Sequence, residues 1–110
     1  MARALLRGFR ESPRKVRMVA NMIRGRRVEE AFSILRLQPR KAARMLHKVL
    51  TSAVANAAEN EHADADKLLV TKISIDPGPV QKRWLARSMG RANRINRRSS
   101  HVTVVVDVVE

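Results

Sequence analysis

The chain has no cysteine, which excludes disulfides, thiolate zinc sites and cysteine nucleophiles together. It has only four glycines, and they form no glycine-rich phosphate loop. No apolar run approaches the ~20 residues that a membrane-spanning helix needs. Ala4-Leu5-Leu6 is too closely flanked by Arg3 and Arg7 to be the core of a signal peptide. The expectation is a soluble, cytoplasmic protein with no membrane partner. Acid is scarce: 10 Asp and Glu stand against 23 Lys and Arg, for a formal net charge of +13. Glu11 is the one acid before Glu29, and none occurs between Pro77 and Ser100.

What is present includes a real core. Leu, Ile, Val and Phe make up 29 of the 110 residues, above the share expected of a disordered chain. The length suits one domain, 1–110. An excess of like charge works against compaction and calls for a polyanionic partner. Arginine outnumbers lysine 17 to 6. Its planar fork pairs phosphate bidentately and stacks on bases, which favours structured nucleic acid over diffuse electrostatic attraction.

Periodicity supplies the elements. Ala2 to Arg10 reads as a short edge strand. Ser12-Pro13 reads as an N-cap followed by proline at the first helical position. Val16, Val19, Ala20 and Ile23 then form one apolar helical face, which Gly25 ends in the left-handed conformation. A second helix from about Val28 to Leu37 should bury Val28, Ala31, Phe32 and Leu35. Pro39 stops it and can open a third helix, whose stripe is Ala42, Met45, Leu46, Val49, Ala53 and Ala57. The helix ends in an acidic stretch, Glu59 to Asp66, which reads as a solvated loop. Leu69, Thr71, Ile73 and Ile75 alternate in one strand, and Val102, Val104, Val106 and Val108 in another. The fold class is α+β: three helices packed on a small three-stranded antiparallel sheet, with a long protruding β-hairpin over 77–100.

That hairpin carries Lys82, Arg83, Arg87, Arg91, Arg94, Arg97 and Arg98. So long a connection is seldom found in a compact domain unless it is functional or disordered. As two arms it reaches at most roughly 40 Å. A disordered basic loop is the plain alternative, but Val80, Trp84, Leu85 and Ile95 lie among the cations. Apolar groups beside arginine suit a nucleic-acid surface, where rings stack and phosphates pair. Gly90 falls where a turn needing positive φ belongs. A second basic group surrounds the first helix: Arg10, Arg14, Lys15, Arg17, Arg24, Arg26 and Arg27. With so little acid nearby, intrahelical pairing does not account for it. Arg40, Lys41, Arg44 and Lys48 lie along the third helix, facing either phosphate or solvent.

Chemistry is not indicated. Glu59, Glu61, His62, Asp64 and Asp66 lack the glycine and terminal glutamate of a calcium loop. His47, His62 and His101 have no metal-ligand spacing and no nucleophile beside them. No metal, cofactor or catalytic residue is expected.

The run Lys82-Arg83-Trp84-Leu85-Ala86-Arg87-Ser88-Met89-Gly90-Arg91, with His101-Val102-Thr103-Val104-Val105-Val106 after it, resembles the family of the twenty-second protein of the bacterial large ribosomal subunit. Ser12-Pro13-Arg14-Lys15-Val16-Arg17 with Ile23-Arg24-Gly25 resembles it too, as does Ser52-Ala53-Val54-Ala55-Asn56-Ala57 with Glu59-Asn60. The likeness implies three helices on a three-stranded sheet with a long hairpin, and binding to large-subunit ribosomal RNA during assembly. It implies neighbouring ribosomal proteins as partners rather than a second copy of the chain. It also implies a hairpin tip at the polypeptide exit tunnel, facing the nascent polypeptide. Carried over, the tip is Arg87, Ser88, Met89, Gly90, Arg91 and Ala92. The arms hold Lys82, Arg83, Arg94, Arg97 and Arg98 against RNA, with Trp84 among them. Ala86, Ser88 and Asn93 depart from the proline, alanine and aspartate common in relatives.

Two other classes compete. A helix-turn-helix regulator across Leu37-Gln38-Pro39 would put its charge on a recognition helix, not on a hairpin. A basic endoribonuclease needs an acid and a base in proximity, which the scattered histidines do not supply.

Overall fold

Proline punctuates the helical half of the chain. Ser12 is extended (φ −66°, ψ 143°) and Pro13 begins α1, Pro13–Ile23. The Ser12 side chain makes no capping bond; instead its carbonyl accepts from the amides of Lys15 and Val16. Gly25 takes φ +77°, the left-handed turn expected of it. Helix α2, Val28–Leu37, ends at Gln38, which lies extended (φ −88°, ψ 124°). A residue before proline is driven there by the clash with the proline ring. Pro39 therefore stops α2 but does not open the next helix: α3, Lys41–Glu61, starts two residues later with Arg40 at its N-cap. The helix runs through Glu59, Asn60 and Glu61 and so ends within the acidic stretch. His62 closes it at φ 52°.

The computed structural model describes residues 2–62, 67–78, 81–86 and 92–108. Its strands are β1 Ala2–Phe9, β2 Leu68–Pro77, β3 Gln81–Ala86, β4 Ala92–Arg97 and β5 Ser100–Val108. One antiparallel sheet has the order β1-β5-β2, and β3 with β4 forms a separate two-stranded ribbon. The architecture is the α+β arrangement the sequence indicates, with β1 at an edge and the last strand in the centre. The molecule extends 64 Å along its long axis against 26 and 16 Å across.

All three helices cover one face of the sheet. The shared core includes Val16, Ile23, Leu35, Leu46, Leu50, Val70, Ile73 and Val104. Among the described residues, eight of the 24 buried apolar ones are alanines, four of them on α3. Side chains this small let the helix lie close to its neighbours. Phe32 is only half-buried; its ring lies 4.9 Å from that of His47, at the rim of the core rather than inside it.

The alternation in β2 changes phase. Leu68 and Val70 are buried, then Ile73 and Ile75, whereas Thr71 is exposed. A β-bulge between Val70 and Lys72 inserts one extra residue opposite β5, and such an insertion flips every later side chain to the other face. The sequence-based stripe of Leu69, Thr71, Ile73 and Ile75 is thus right only in its second half. In β5, Val102, Val104 and Val106 are fully buried, but Val108 is 38% exposed at the strand end.

Candidate nucleic-acid interface

Side-chain and backbone contacts fix which way α1 and α3 run. The Arg17 Nη2 atom donates to the Ile75 carbonyl at 2.9 Å and the Arg24 Nη2 atom to the Ile73 carbonyl at 2.9 Å. The Gly25 amide donates to the Val70 carbonyl at 3.0 Å. Helix α1 therefore runs antiparallel to β2, with its N-terminus toward Pro77. Along β1, the Lys41 Nζ atom lies 5.5 Å from the centre of the Phe9 ring, and Asn56 Nδ2 donates to the Arg3 carbonyl at 3.0 Å. Helix α3 is antiparallel to β1, with its N-terminus at Phe9. Since Phe9 and Pro77 both pair with Ser100, the first turns of α1 and α3 lie at the hairpin root.

That end is basic. Arg10, Arg14, Lys15, Arg40, Lys41 and Arg98 are all exposed there, and Arg40 Nη1 reaches Met18 Sδ on α1 at 3.8 Å. Neither α1 nor α3 has an acid in its first turn or a capping side chain. The positive dipole ends add to the cationic potential. At the opposite end, α2 opens with Glu29 and Glu30, and Glu59 is exposed near the end of α3. Cations outnumber acids at the root, where Glu11 and the exposed Asp76 are the acids among the described residues.

The cations expected around α1 do not act as one group. Arg10, Arg14 and Lys15 join Arg40 and Lys41 at the root. Arg26 and Arg27 sit beyond the C-terminal end of α1, at the acidic end. Arg26 Nη1 is 4.0 Å from a Glu30 carboxylate oxygen, and Arg27 pairs with Leu69. Arg17 and Arg24 tie down the outer edge of β2. A bare strand edge is a template for pairing with other chains. Here the Gly25–Arg26 turn covers it at Val70, and the two guanidinium groups cover it at Ile73 and Ile75. Each arginine has five N–H donors, so a fork that holds the edge still has donors for phosphate.

Replacing both residues, Arg17→Ala with Arg24→Ala, should cost about 1–3 kcal/mol in stability and open the β2 edge. Thermal melting and sedimentation velocity should show a lower midpoint and concentration-dependent association. An unchanged midpoint with no association would mean that this edge needs no cover.

On the hairpin, Lys82, Arg83 and Trp84 lie on β3, and Arg94 and Arg97 on β4. Trp84 pairs with Arg94, Arg83 with Ile95 and Gln81 with Arg97. The tip residues Arg87, Ser88, Met89, Gly90 and Arg91 lie outside the described residues; Ala92 is the first residue of β4. Three further cations, Arg3, Arg7 and Lys72, are exposed on strands. Arg3 and Lys72 flank Val105 in register on the helix-free face. Their only sequence signal is alternation with buried neighbours such as Ala2 and Ala4.

A helical head on a three-stranded sheet, a two-stranded arm rich in cations and a root where cations outnumber acids together describe a component of a ribonucleoprotein. Residues 4–107 match the model of the family described as ribosomal protein L22p/L17e. Over 105 or 106 residues, 96% of the chain, it is similar to proteins called large ribosomal subunit protein uL22. It is 54% identical to that of Maridesulfovibrio salexigens, over 96% of that protein's length. It is 52% identical to that of Desulforamulus reducens, over 93%, and 50% identical to that of Syntrophotalea carbinolica, over 96%. The chain belongs to the ribosomal protein L22p/L17e family. It is a structural protein of the large subunit in the cytoplasmic ribosome, and not an enzyme.

Proposed function

We propose that the chain binds large-subunit ribosomal RNA through its hairpin end, supports assembly of that RNA, and places the hairpin tip at the wall of the polypeptide exit tunnel. One observation carries this reading: the hairpin root and the first turns of α1 and α3 share one basic end, while Glu29, Glu30 and Glu59 lie at the other. Arg10, Arg14, Lys15, Arg40 and Lys41 face phosphate at the root, and Lys82, Arg83, Arg94, Arg97 and Arg98 do so along the arms, with Trp84 stacking on bases. Arg17 and Arg24 contribute donors left over from the strand edge, and Arg26 and Arg27 form a second, smaller contact. Residues 1–110 act as one domain, with 77–100 its projecting arm. Neighbouring ribosomal proteins are its protein partners, and a second copy is not required.

The tunnel role belongs to Arg87 through Ala92. Arg87 and Arg91 are four apart with no acid near them, which suits phosphate contacts on either side of a turn and leaves Met89 for the lumen and the nascent polypeptide. Deleting Ser88 to Gly90 should let the protein enter ribosomes, because the arms and root supply most of the RNA contacts. It should change the response of those ribosomes to macrolides or to stalling peptides. Ribosomes that carry the deletion and match the parent in both responses would remove the tunnel role and leave only the RNA scaffold.

A further inference from the structure

The hairpin root is tied to the segment that launches α1. Strand β5 begins with Ser100, which has no exposed surface and is the one buried polar residue among those described. Its hydroxyl donates to the Glu11 carbonyl at 2.7 Å. That carbonyl is in place because the Glu11 amide donates back to the Phe9 carbonyl at 2.8 Å, in a tight turn between β1 and α1. The next residue, His101, accepts the Gly8 amide on Nδ1 at 3.0 Å. Gly8 can present that amide because the β1–β5 register shifts between Leu6 and Phe9 and Gly8 takes φ +73°, a conformation glycine adopts without strain. On the outgoing side, the Gly78 amide donates to the Ser99 carbonyl at 2.9 Å. A Cβ on Gly78 would come within 2.6 Å of Ser99 Oγ and 3.2 Å of His101 Cε1, so the two arms meet closely at that point.

We propose that Ser100 and His101 are positioning residues for the hairpin. They key its return arm to the turn at Gly8 to Glu11, and so present the arm and the first turns of α1 and α3 to RNA at one fixed angle. These two bonds add side-chain ties to the backbone ladder at the root, and each tie narrows the range over which a two-stranded ribbon can swing. Pre-setting the angle removes an ordering cost from binding. This inference rests on the RNA-binding reading for its purpose, but the angle is a property of the free protein and is measured without RNA.

The absence of cysteine allows clean labelling. Spin labels at Leu37→Cys, on the exposed end of α2, and at Asn93→Cys, on β4, report the arm's position by dipolar spectroscopy. The parent should give a single narrow distance distribution. Ser100→Ala with His101→Leu should broaden it about two-fold or more, with a cooperative thermal transition retained. His101→Asn, whose Oδ1 can take the place of Nδ1 as acceptor, should keep the parent width where His101→Leu does not. Affinity for a large-subunit RNA fragment should fall roughly three- to ten-fold in the double variant, the scale of one or two lost hydrogen bonds. If Ser100→Ala prevents folding, the His101 pair of variants decides. A parent distribution already as broad as the variant's would overturn the proposal, as would equal broadening by His101→Asn and His101→Leu. Loss of RNA binding in the parent, with the widths behaving as expected, would overturn the RNA reading instead and leave the positioning role standing.

Discussion

Raising monovalent salt from 50 to 200 mM should weaken binding of the chain to large-subunit RNA by roughly 10³–10⁵-fold. That is the scale for a protein that neutralises six to ten phosphates of a duplex and releases their counterions. The number of contacts is set by the fold. Arg10, Arg14, Lys15, Arg40 and Lys41 share one end with the arms, and the first turns of α1 and α3 bring no acid to offset them. Filter binding across a salt series, with large-subunit RNA and duplex DNA of equal length, measures both slope and preference. A slope near zero would exclude the phosphate interface. Equal affinity for the two nucleic acids would leave a polyelectrolyte with no specificity for structured RNA.

Excising the hairpin should leave the head folded and remove most of its affinity. Beyond Pro77↔Ser100, the Gly78 amide bonds the Ser99 carbonyl, so β2 and β5 are already closed at the root. Deleting Gln81 to Arg98, with Pro79→Asn and Val80→Gly, leaves a two-residue connection of the type that suits the twist of a hairpin. Val16, Leu46, Val49, Ile73 and Val104 are buried among helices and the three-stranded sheet, which supply a core for the head. The seven cations removed, if all face phosphate, should lower the salt slope by up to about six. Calorimetry should show a single cooperative transition, and the binding series a much flatter line. A broad, non-cooperative melt would mean that the arm belongs to the core. An unchanged slope would mean that the head alone holds the RNA.

The elements that follow simple periodicity were legible in the sequence, and those that depend on an inserted residue or a distant partner were not. Helix α2 has the expected bounds, because Val28, Ala31 and Leu35 repeat at helical spacing and Pro39 forces Gln38 out of the helix. The pairing of β2 with β5 also follows from alternation. The phase of β2 does not, because nothing in Thr71-Lys72 announces a bulge whose partner lies more than thirty residues away. Phe32 has the hydrophobicity of a core residue, yet it stays at the rim against His47. The interface is legible as charge and illegible as geometry. Arg14 and Arg17 are near neighbours in sequence, but the first stands free at the hairpin end while the second is bonded to the Ile75 carbonyl. Only the direction of α1 along the sheet separates them. Arg3 and Lys72 give only alternation as a signal until β5 brings their strands together around Val105.

The excess of cations at the arm and its root has a kinetic consequence. A molecule 64 Å long with its charge distributed in this way carries a permanent electric moment along its axis as well as a net charge. In the field of a folded polyanion it is turned before it is touched, and it arrives arm first. Such steering raises the rate of productive encounter and falls away as salt shortens the reach of the field. A narrow cleft in a half-assembled particle would then be entered point-first, with little time lost to collisions made broadside or tail-on.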